Sequence, residues 1–145
     1  MGNRIPDFEL ELVDGTILTS ADLRQRRQPA FLFFHAAWCP VCRAELRRLA
    51  TLDPKYTENV SFYLVGSDPS QTVDLLEKDR QKQGYPWPVA GIGSSGLREL
   101  HVLQQSTKIA IDGNGVITYR DGFGRGDLNK WRNALEDLTA NRNPS

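Results

Sequence analysis

The feature that most constrains the fold of this chain is an apolar run that leads into its only two cysteines. Residues 30–34 read AFLFF without alternation, as expected for a strand that is buried on both faces of a sheet. Cys39 and Cys42 follow, and the helix-like segment 43–49 comes directly after them. Pro40 stands at the first helical position, where its missing N–H group costs nothing. The pattern predicts a central strand that delivers a CxxC motif to the beginning of a helix.

This placement favours reactive thiols, because the free N–H groups and the dipole at a helix N-terminus stabilise a thiolate. In a redox interpretation Cys39, at the helix start and the more exposed of the two, attacks a substrate disulfide. Cys42, one turn inward, then resolves the mixed disulfide. A disulfide between two cysteines this close would close only a small loop, so it would contribute little to the stability of a secreted fold. We therefore predict that the pair serves chemistry or metal binding.

The metal alternative treats the CxxC pair as half of a zinc site, which needs two further ligands. Only His35 and His101 offer nitrogen donors. His35 ends the strand before the motif, whereas His101 would have to be brought near by the fold. Zinc pairs normally lie on short loops and hairpins, so the pattern favours redox chemistry. We expect His35 to pack or hydrogen-bond beside the motif, and we predict no bound metal or cofactor.

Length, charge and hydropathy argue against several other classes of protein. The 145 residues suit one domain spanning residues 1–145. The 18 basic and 18 acidic residues give zero net charge, which does not favour nucleic acid or anionic lipid. The basic segment 24–27 is short and lacks aromatic residues, and it is predicted to be a solvated loop. No segment reaches the roughly 18 apolar residues of a membrane span, and the first residues lack the apolar part of a signal peptide.

The remaining segments predict further strands and helices. A hairpin is expected around Asp14-Gly15. Residues 60–66 are predicted to form a second buried strand, and the helix that connects it to the strand at 30–34 implies that these two strands pair in parallel. A helix over 71–83 should end at Gly84. The late elements are a β-hairpin around the turn 112–115, a flexible glycine link at 122–126, a helix from Asp127 to Leu138 and a loosely held tail at 141–145.

A formal GxGxxG match occurs at residues 91–96. A dinucleotide site would need a strand directly before it, and Val89-Ala90 is not expected to form one. The first strand–turn–helix of the chain carries the CxxC motif instead. A nucleotide site is therefore not favoured.

Together these segments resemble the thioredoxin fold, and specifically the TlpA/ResA-like thiol-disulfide oxidoreductases, with the AhpC/TSA family close by. The matching pieces are Pro6-Asp7-Phe8 with the turn Asp14-Gly15, residues 37–45 (AWCPVCRAE) and the hairpin at 111–117. The resemblance implies an α/β fold with a central mixed β-sheet flanked by helices and an N-terminal β-hairpin extension. It also implies a monomeric enzyme that exchanges disulfides with cysteine-containing protein substrates and is served by an upstream electron donor.

The resemblance also implies a compartment and roles for single residues. A membrane-tethered, extracytoplasmic protein is expected if an anchor has been trimmed, and a cytoplasmic one otherwise. Glu45 occupies the position of an acidic residue that tunes the dithiol and relays protons in some members; the alternative is an exposed helix carboxylate. Independently of the resemblance, the redox interpretation predicts that Trp38 provides a flat apolar shoulder for a protein substrate, or that it simply packs against the sheet. Pro40, in the spacer between the cysteines, is also expected to contact the substrate.

Two departures from the family pattern stand out. Ser106 occupies the place of a cis-proline that faces the dithiol, and Ser106 and Thr107 are expected to form the docking wall for substrate. A cis bond before a non-proline residue costs roughly 2.5–4 kcal/mol, so this bond is either trans or strained. Because the proline helps to exclude metals from the thiols, the metal alternative stays open. Phe33 replaces the buried aspartate of thioredoxin, which leaves Glu45 or water as proton acceptor.

Two other functions compete with disulfide exchange. In a peroxidase, Cys39 would attack peroxide, but Ala36 stands where peroxiredoxins carry an orienting threonine. In a non-enzymatic module, the surface around Trp38 and Ser106 would hold a metal or a partner protein.

Overall fold

The fold is a seven-stranded mixed sheet with helices on both faces, described here from a computed structural model for residues 2–140. The tail at 141–145, predicted to be loosely held, lies outside the described residues. The strands are β1 (Glu9–Leu12), β2 (Ile17–Thr19), β3 (Ala30–His35), β4 (Ser61–Gly66), β5 (Val89–Ile92), β6 (Thr107–Ile111) and β7 (Ile117–Asp121). The helices are α1 (Ser20–Gln25), α2 (Pro40–Leu49), α3 (Val73–Gln83), α4 (Ser94–Glu99) and α5 (Leu128–Ala140), with a 3-10 turn at Pro54–Tyr56.

The strand that precedes the cysteines lies inside the sheet, as predicted. The strand order is β2-β1-β5-β4-β3-β6-β7, and β3 pairs parallel with β4 and antiparallel with β6. Every residue of β3 is buried, which explains its unbroken apolar run. The predicted mixed α/β sheet, its N-terminal hairpin and its late hairpin are confirmed.

The two faces of β3 contribute to two separate cores. Phe31 and Phe33 pack with the first helical layer, whereas Leu32 and Phe34 face the opposite core. The first core takes buried side chains from α2, α3 and α5, including Leu46, Leu76 and Leu135, and the second takes them from α1, α4 and the N-terminal hairpin, including Leu23, Leu97 and Leu10. Burying each such side chain contributes roughly 1.5–3 kcal/mol. The position of α2, and therefore of the cysteines, is fixed by this packing.

The expectation that Val89-Ala90 would not form a strand is wrong. Both residues are fully buried in β5, which pairs with β4 on one side and β1 on the other. Neighbouring strands on both sides satisfy its backbone, so tertiary pairing makes a strand of a segment with little local signal.

The glycines of the GxGxxG match have a packing explanation. A Cβ atom on Gly91 would lie 2.8 Å from Cγ2 of Val73, and one on Gly96 would lie 2.6 Å from Cγ1 of Ile92. These glycines let α3 and α4 approach the sheet closely. The helix α4 begins inside the match at Ser94, has six residues and leads into β6, which is antiparallel to β3. This is not the parallel strand–helix–strand unit of a dinucleotide fold.

The glycine link at 122–126 is more constrained than predicted. A Cβ atom on Gly126 would clash with the indole of Trp131 and would lie 2.5 Å from Oδ2 of Asp121. We expect Gly126→Ala to lower the free energy of unfolding by about 1–3 kcal/mol, the usual cost of overpacking. Denaturant unfolding measures this change. Gly122→Ala is the matched control, because nothing lies within 4 Å of its added methyl group; equal losses in both variants would contradict the explanation.

No helix among the described residues is long and apolar enough to cross a membrane.

Candidate dithiol active site

Cys39 and Cys42 lie at the beginning of α2 and are joined by a disulfide bond. Cys39 is the N-cap residue: its backbone is extended, and its Sγ accepts a hydrogen bond from the N–H of Cys42 at 3.1 Å. Pro40 is the first helical residue. A sulfur that accepts an amide hydrogen bond at a helix N-terminus is stabilised as a thiolate when the disulfide is reduced. The predicted strand, CxxC motif and helix are confirmed.

Exposure does not distinguish the two cysteines. Cys39 is 1% exposed and Cys42 is 0% exposed, so the expectation that Cys39 would be the more exposed is wrong for this disulfide form. The reason is the cap itself: the Cys39 side chain turns back over the first turn of α2, into the core that holds Ala36 and Cys42. The two cysteines differ instead in hydrogen bonding, because only Sγ of Cys39 accepts the capping hydrogen bond.

The loop before the cysteines is held on both sides. The N–H of Ala37 donates to Oε1 of Gln71 at 3.0 Å, and Nη2 of Arg43 donates to the carbonyl of Ala37 at 2.8 Å. The N–H of Cys39 donates to the carbonyl of Ala36 at 3.1 Å. These bonds fix where the first cysteine enters the helix.

Trp38 stands at the rim of this loop. Its side chain is 53% exposed, and its Nε1 donates to Oδ2 of Asp68 at 2.9 Å. Hydrogen bonds from Ser70 and from Trp38 hold the pKa of Asp68 below its usual range, so this acceptor is a carboxylate. The half-exposed indole favours the rim interpretation of Trp38 over simple packing against the sheet, and contact with substrate stays a prediction. Pro40 is also exposed, so both predicted contact residues border the cysteines.

Glu45 is fully buried, so the interpretation as an exposed helix carboxylate is wrong. Its Oε1 accepts hydrogen bonds from Oγ of Ser106 and from Nζ of Lys108, the latter at 2.7 Å. Its Oε2 accepts no hydrogen bond and lies 3.9 Å from Nη2 of Arg48. Three positions separate Glu45 from Cys42, a spacing that puts both on one side of α2. Because Phe33 fills the strand position of the missing aspartate, Glu45 supplies a buried acid from the helix instead.

Ser106 resolves the question of the missing proline. No peptide bond among the described residues is cis, and Ser106 has φ +66°, in the left-handed region that non-glycine residues rarely adopt. It is fully buried, its N–H donates to the carbonyl of Phe34 at 2.5 Å, and Thr107 beside it is 5% exposed. The structure turns Ser106 inward towards Glu45, and the contact of Ser106 and Thr107 with substrate stays a prediction.

Lys108 is a residue that the sequence reasoning missed. It lies opposite Phe33 in the sheet and is fully buried. Its Nζ lies 2.7 Å from Oε1 of Glu45, from the carbonyl of Ser106 and from Oδ1 of Asp121; the carbonyl of Gly122 and Oγ of Ser106 are at 3.1 and 3.3 Å. The available signal was a single cation in the otherwise apolar stretch 108–111.

Asp121 completes this buried group. Its Oδ2 accepts hydrogen bonds from Nε1 of Trp131 at 2.9 Å and from the hydroxyl of Tyr119. Burial and this hydrogen bond raise the pKa of Tyr119, which stays protonated. Asp121 also lines a surface cavity of about 590 Å³. We use the name buried charge cluster for the four residues Glu45, Ser106, Lys108 and Asp121.

The histidines do not join the cysteines. His35 is 1% exposed, and His101 lies on the surface. Within residues 2–140, no group of three or more histidine, cysteine or acidic side chains is placed to hold a metal ion. The zinc alternative therefore gains no support from this geometry.

Burial lowers the pKa of His35 from 6.5 to about 4, which gives a prediction for stability. The unfolded chain takes up this proton below pH 6.5, whereas the folded protein does so only near pH 4. The contribution of neutral His35 is therefore complete above pH 6.5 and is lost as the pH falls towards 4, by roughly 3 kcal/mol at about 1.4 kcal/mol per pKa unit.

Unfolding free energies at a series of pH values measure this effect. We expect His35→Gln to show a smaller loss of stability than the wild type between pH 6.5 and 4. His101→Gln, at an exposed site, should follow the wild type. Parallel pH curves for wild type and His35→Gln would contradict the prediction.

Comparison with known proteins identifies the family of this chain. The profile of the AhpC/TSA family matches residues 1–120. The chain belongs to the AhpC/TSA family. The thiol:disulfide interchange protein DsbE of Escherichia coli K12 is 32% identical over 151 aligned residues, which cover 95% of this chain and 73% of DsbE. The Yersinia pestis DsbE is 34% identical over 134 residues, covering 89% and 66% of the two chains.

Solved structures show that this AhpC/TSA family member has the predicted fold. A thiol:disulfide interchange protein of the thioredoxin family from Chlorobium tepidum superposes with a TM-score of 0.73 at 19% identity, covering 95% of this chain and 97% of that chain. A thio-disulfide isomerase from Thermus thermophilus gives 0.72 at 24% identity, covering 99% and 97%. The predicted relationship to the thioredoxin-like thiol-disulfide oxidoreductases is confirmed.

Proposed function

We propose that this chain reduces disulfides in cysteine-containing protein substrates through the Cys39–Cys42 couple. The single observation that carries the proposal is the position of Cys39 as N-cap of α2, with its Sγ on the N–H of Cys42 and bonded to the second cysteine. Relatives whose alignments cover 95% and 89% of this chain are named thiol:disulfide interchange proteins. The protein is accordingly an oxidoreductase of the thiol-disulfide class.

The reaction is a pair of thiol–disulfide exchanges. The Cys39 thiolate attacks one sulfur of a substrate disulfide, which forms a mixed disulfide and releases the other substrate sulfur as a thiolate. Cys42 loses its proton and attacks Sγ of Cys39, which forms the intramolecular disulfide and releases the second substrate thiolate. Two electrons pass from the dithiol to the substrate. An external thiol donor returns the couple to the dithiol form.

We assign the Cys42 proton to Glu45. Glu45 lies one helical turn beyond Cys42, and its Oε2 accepts no hydrogen bond. A buried carboxylate oxygen without a donor is suited to accept a proton. Phe33 supplies no acid from the neighbouring strand, so this role falls to the helix.

Trp38 and Pro40 form the exposed rim where substrate would dock. The hydrogen bond from Trp38 to Asp68 orients the indole, and half of its surface remains open. A large, rigid and half-exposed aromatic side chain is a frequent anchor for protein partners. Contact of the substrate with this rim would place its disulfide near Cys39.

Reduction of insulin disulfides in the presence of dithiothreitol tests the proposal. We expect the wild type to accelerate insulin precipitation well above the dithiothreitol background and the double variant Cys39→Ser/Cys42→Ser to give only that background. A wild type no faster than the double variant would reject disulfide reduction. Metal analysis of the reduced protein and a peroxide-consumption assay would then separate the metal-binding and peroxidase alternatives.

A further inference from the structure

A fully buried lysine beside Glu45 needs an explanation. Lysine is almost never fully buried unless it is paired, because removing an ammonium group from water costs several kcal/mol. Lys108 nevertheless has an exposed fraction of 0%. Its ammonium donates to Glu45, to the carbonyl of Ser106 and to the carbonyl of Gly122, and it forms an ion pair with Asp121. With Oγ of Ser106 at 3.3 Å, five oxygen atoms surround the ammonium group, so it has acceptors for each of its protons.

The contacts of Lys108 act on one oxygen of Glu45. Oε1 receives the Lys108 ammonium and the Ser106 hydroxyl, whereas Oε2 is left without a hydrogen bond. A buried carboxylate without a cation takes up a proton and can no longer act as a base. A carboxylate that is paired through one oxygen stays charged and keeps the other oxygen available.

We infer that Lys108 is a positioning residue for the dithiol reaction: its contact with Oε1 orients Glu45 so that Oε2 accepts the proton of Cys42. This inference rests on the proposed disulfide exchange. It also accounts for Ser106, whose carbonyl accepts from Lys108 and whose hydroxyl donates to Glu45. The same ammonium therefore stabilises the left-handed backbone that stands in place of the expected proline.

The charges around Glu45 come from several elements. Arg48 lies on its own helix, and Lys108 faces it from β6. Beyond Lys108, β7 contributes Asp121 and Tyr119, and Asp127 precedes α5. The nearest cation that is fully buried is Lys108, since the side chain of Arg48 is 54% exposed. Loss of Lys108 would thus remove the main counter-ion of Glu45.

A symmetrical aromatic disulfide, dithionitrobenzoate, separates the two chemical steps because each step releases one coloured thiolate. Attack by Cys39 forms a mixed disulfide between its Sγ and one arylthio group, and it releases the other arylthio group as the first coloured thiolate. Glu45 then takes the Cys42 proton, and Cys42 attacks Sγ of Cys39 and releases the second thiolate. Stopped-flow absorbance of the reduced protein records both phases.

We expect Lys108→Met to slow the second phase by roughly 10- to 100-fold, a modest share of the usual effect of a general base, and to leave the first phase within about threefold of the wild type. Glu45→Gln should have the same effect, and the double variant Glu45→Gln/Lys108→Met should be no slower than Glu45→Gln. The second phase of these variants should rise more steeply with pH than that of the wild type. The control is Lys78→Met, an exposed lysine on α3.

Several outcomes would overturn the inference. One is a second phase in Lys108→Met as fast as in the wild type; another is a further loss when Lys108→Met is added to Glu45→Gln. If Lys108→Met alone does not fold, the second phase of the double variant is compared with that of Glu45→Gln. The double variant removes both charges of the ion pair, so it leaves no unpaired charge on Glu45. A wild type without any first phase would instead reject the proposed function.

Discussion

Replacing Cys39 with serine is expected to reduce insulin turnover to the dithiothreitol background, whereas Cys42→Ser should accumulate mixed disulfides with substrate. Only Cys39 caps α2 and accepts the amide hydrogen bond that stabilises a thiolate. Without Cys39 there is no attack, and without Cys42 the attack is not followed by resolution. Turnover is read from insulin precipitation, and the trapped species from non-reducing electrophoresis and mass spectrometry.

Ala44→Ser is the matched control, because it adds a hydroxyl to an exposed position of the same helix. It should keep wild-type turnover and trap nothing. Turnover in Cys39→Ser, or trapped substrate attached to Cys42 in that variant, would reverse the roles assigned to the two cysteines.

The second large effect concerns stability. We expect Lys108→Met to lower the free energy of unfolding by about 3–5 kcal/mol, because it leaves the fully buried carboxylate of Glu45 and the largely buried carboxylate of Asp121 without their shared cation. Denaturant unfolding at neutral pH measures the loss. The same substitution should cost less when Glu45→Gln is already present, since one of the two unpaired charges is then absent.

Lys78→Met serves as the stability control and should change the unfolding free energy by no more than about 0.5 kcal/mol, as is usual for surface substitutions. A loss in Lys108→Met as small as that of Lys78→Met would show that the buried charge cluster does not depend on this ammonium. An equal penalty with and without Glu45→Gln would show that the two residues do not act as a pair.

Local patterns were sufficient to predict the framework of the site. The unbroken apolar run before Cys39 identified the central strand, and Pro40 with the CxxC spacing identified the helix start. Both signals depend only on neighbouring residues, and the structure confirms both. The residue that replaces the family's proline, Ser106, was also recognised from its position in the sequence.

The conformation of Ser106, the burial of Glu45 and the strand β5 could not be predicted from local patterns. The conformation of Ser106 depends on Phe34, Glu45 and Lys108, which come from three different elements. β5 becomes a strand only because β1 and β4 lie on either side of it. The buried state of Glu45 likewise follows from tertiary packing, which helical spacing alone does not specify.

The central claim is that Cys39 and Cys42 form a reversible redox couple, and an equilibrium titration tests it most directly. The protein is incubated in dithiothreitol buffers of graded potential, its free thiols are alkylated, and the labels are counted by mass spectrometry. We predict only unlabelled and doubly labelled protein, with the ratio changing tenfold for about every 30 mV, as a two-electron couple requires. A persistent singly labelled species, or cysteines that do not re-form the disulfide, would contradict the account.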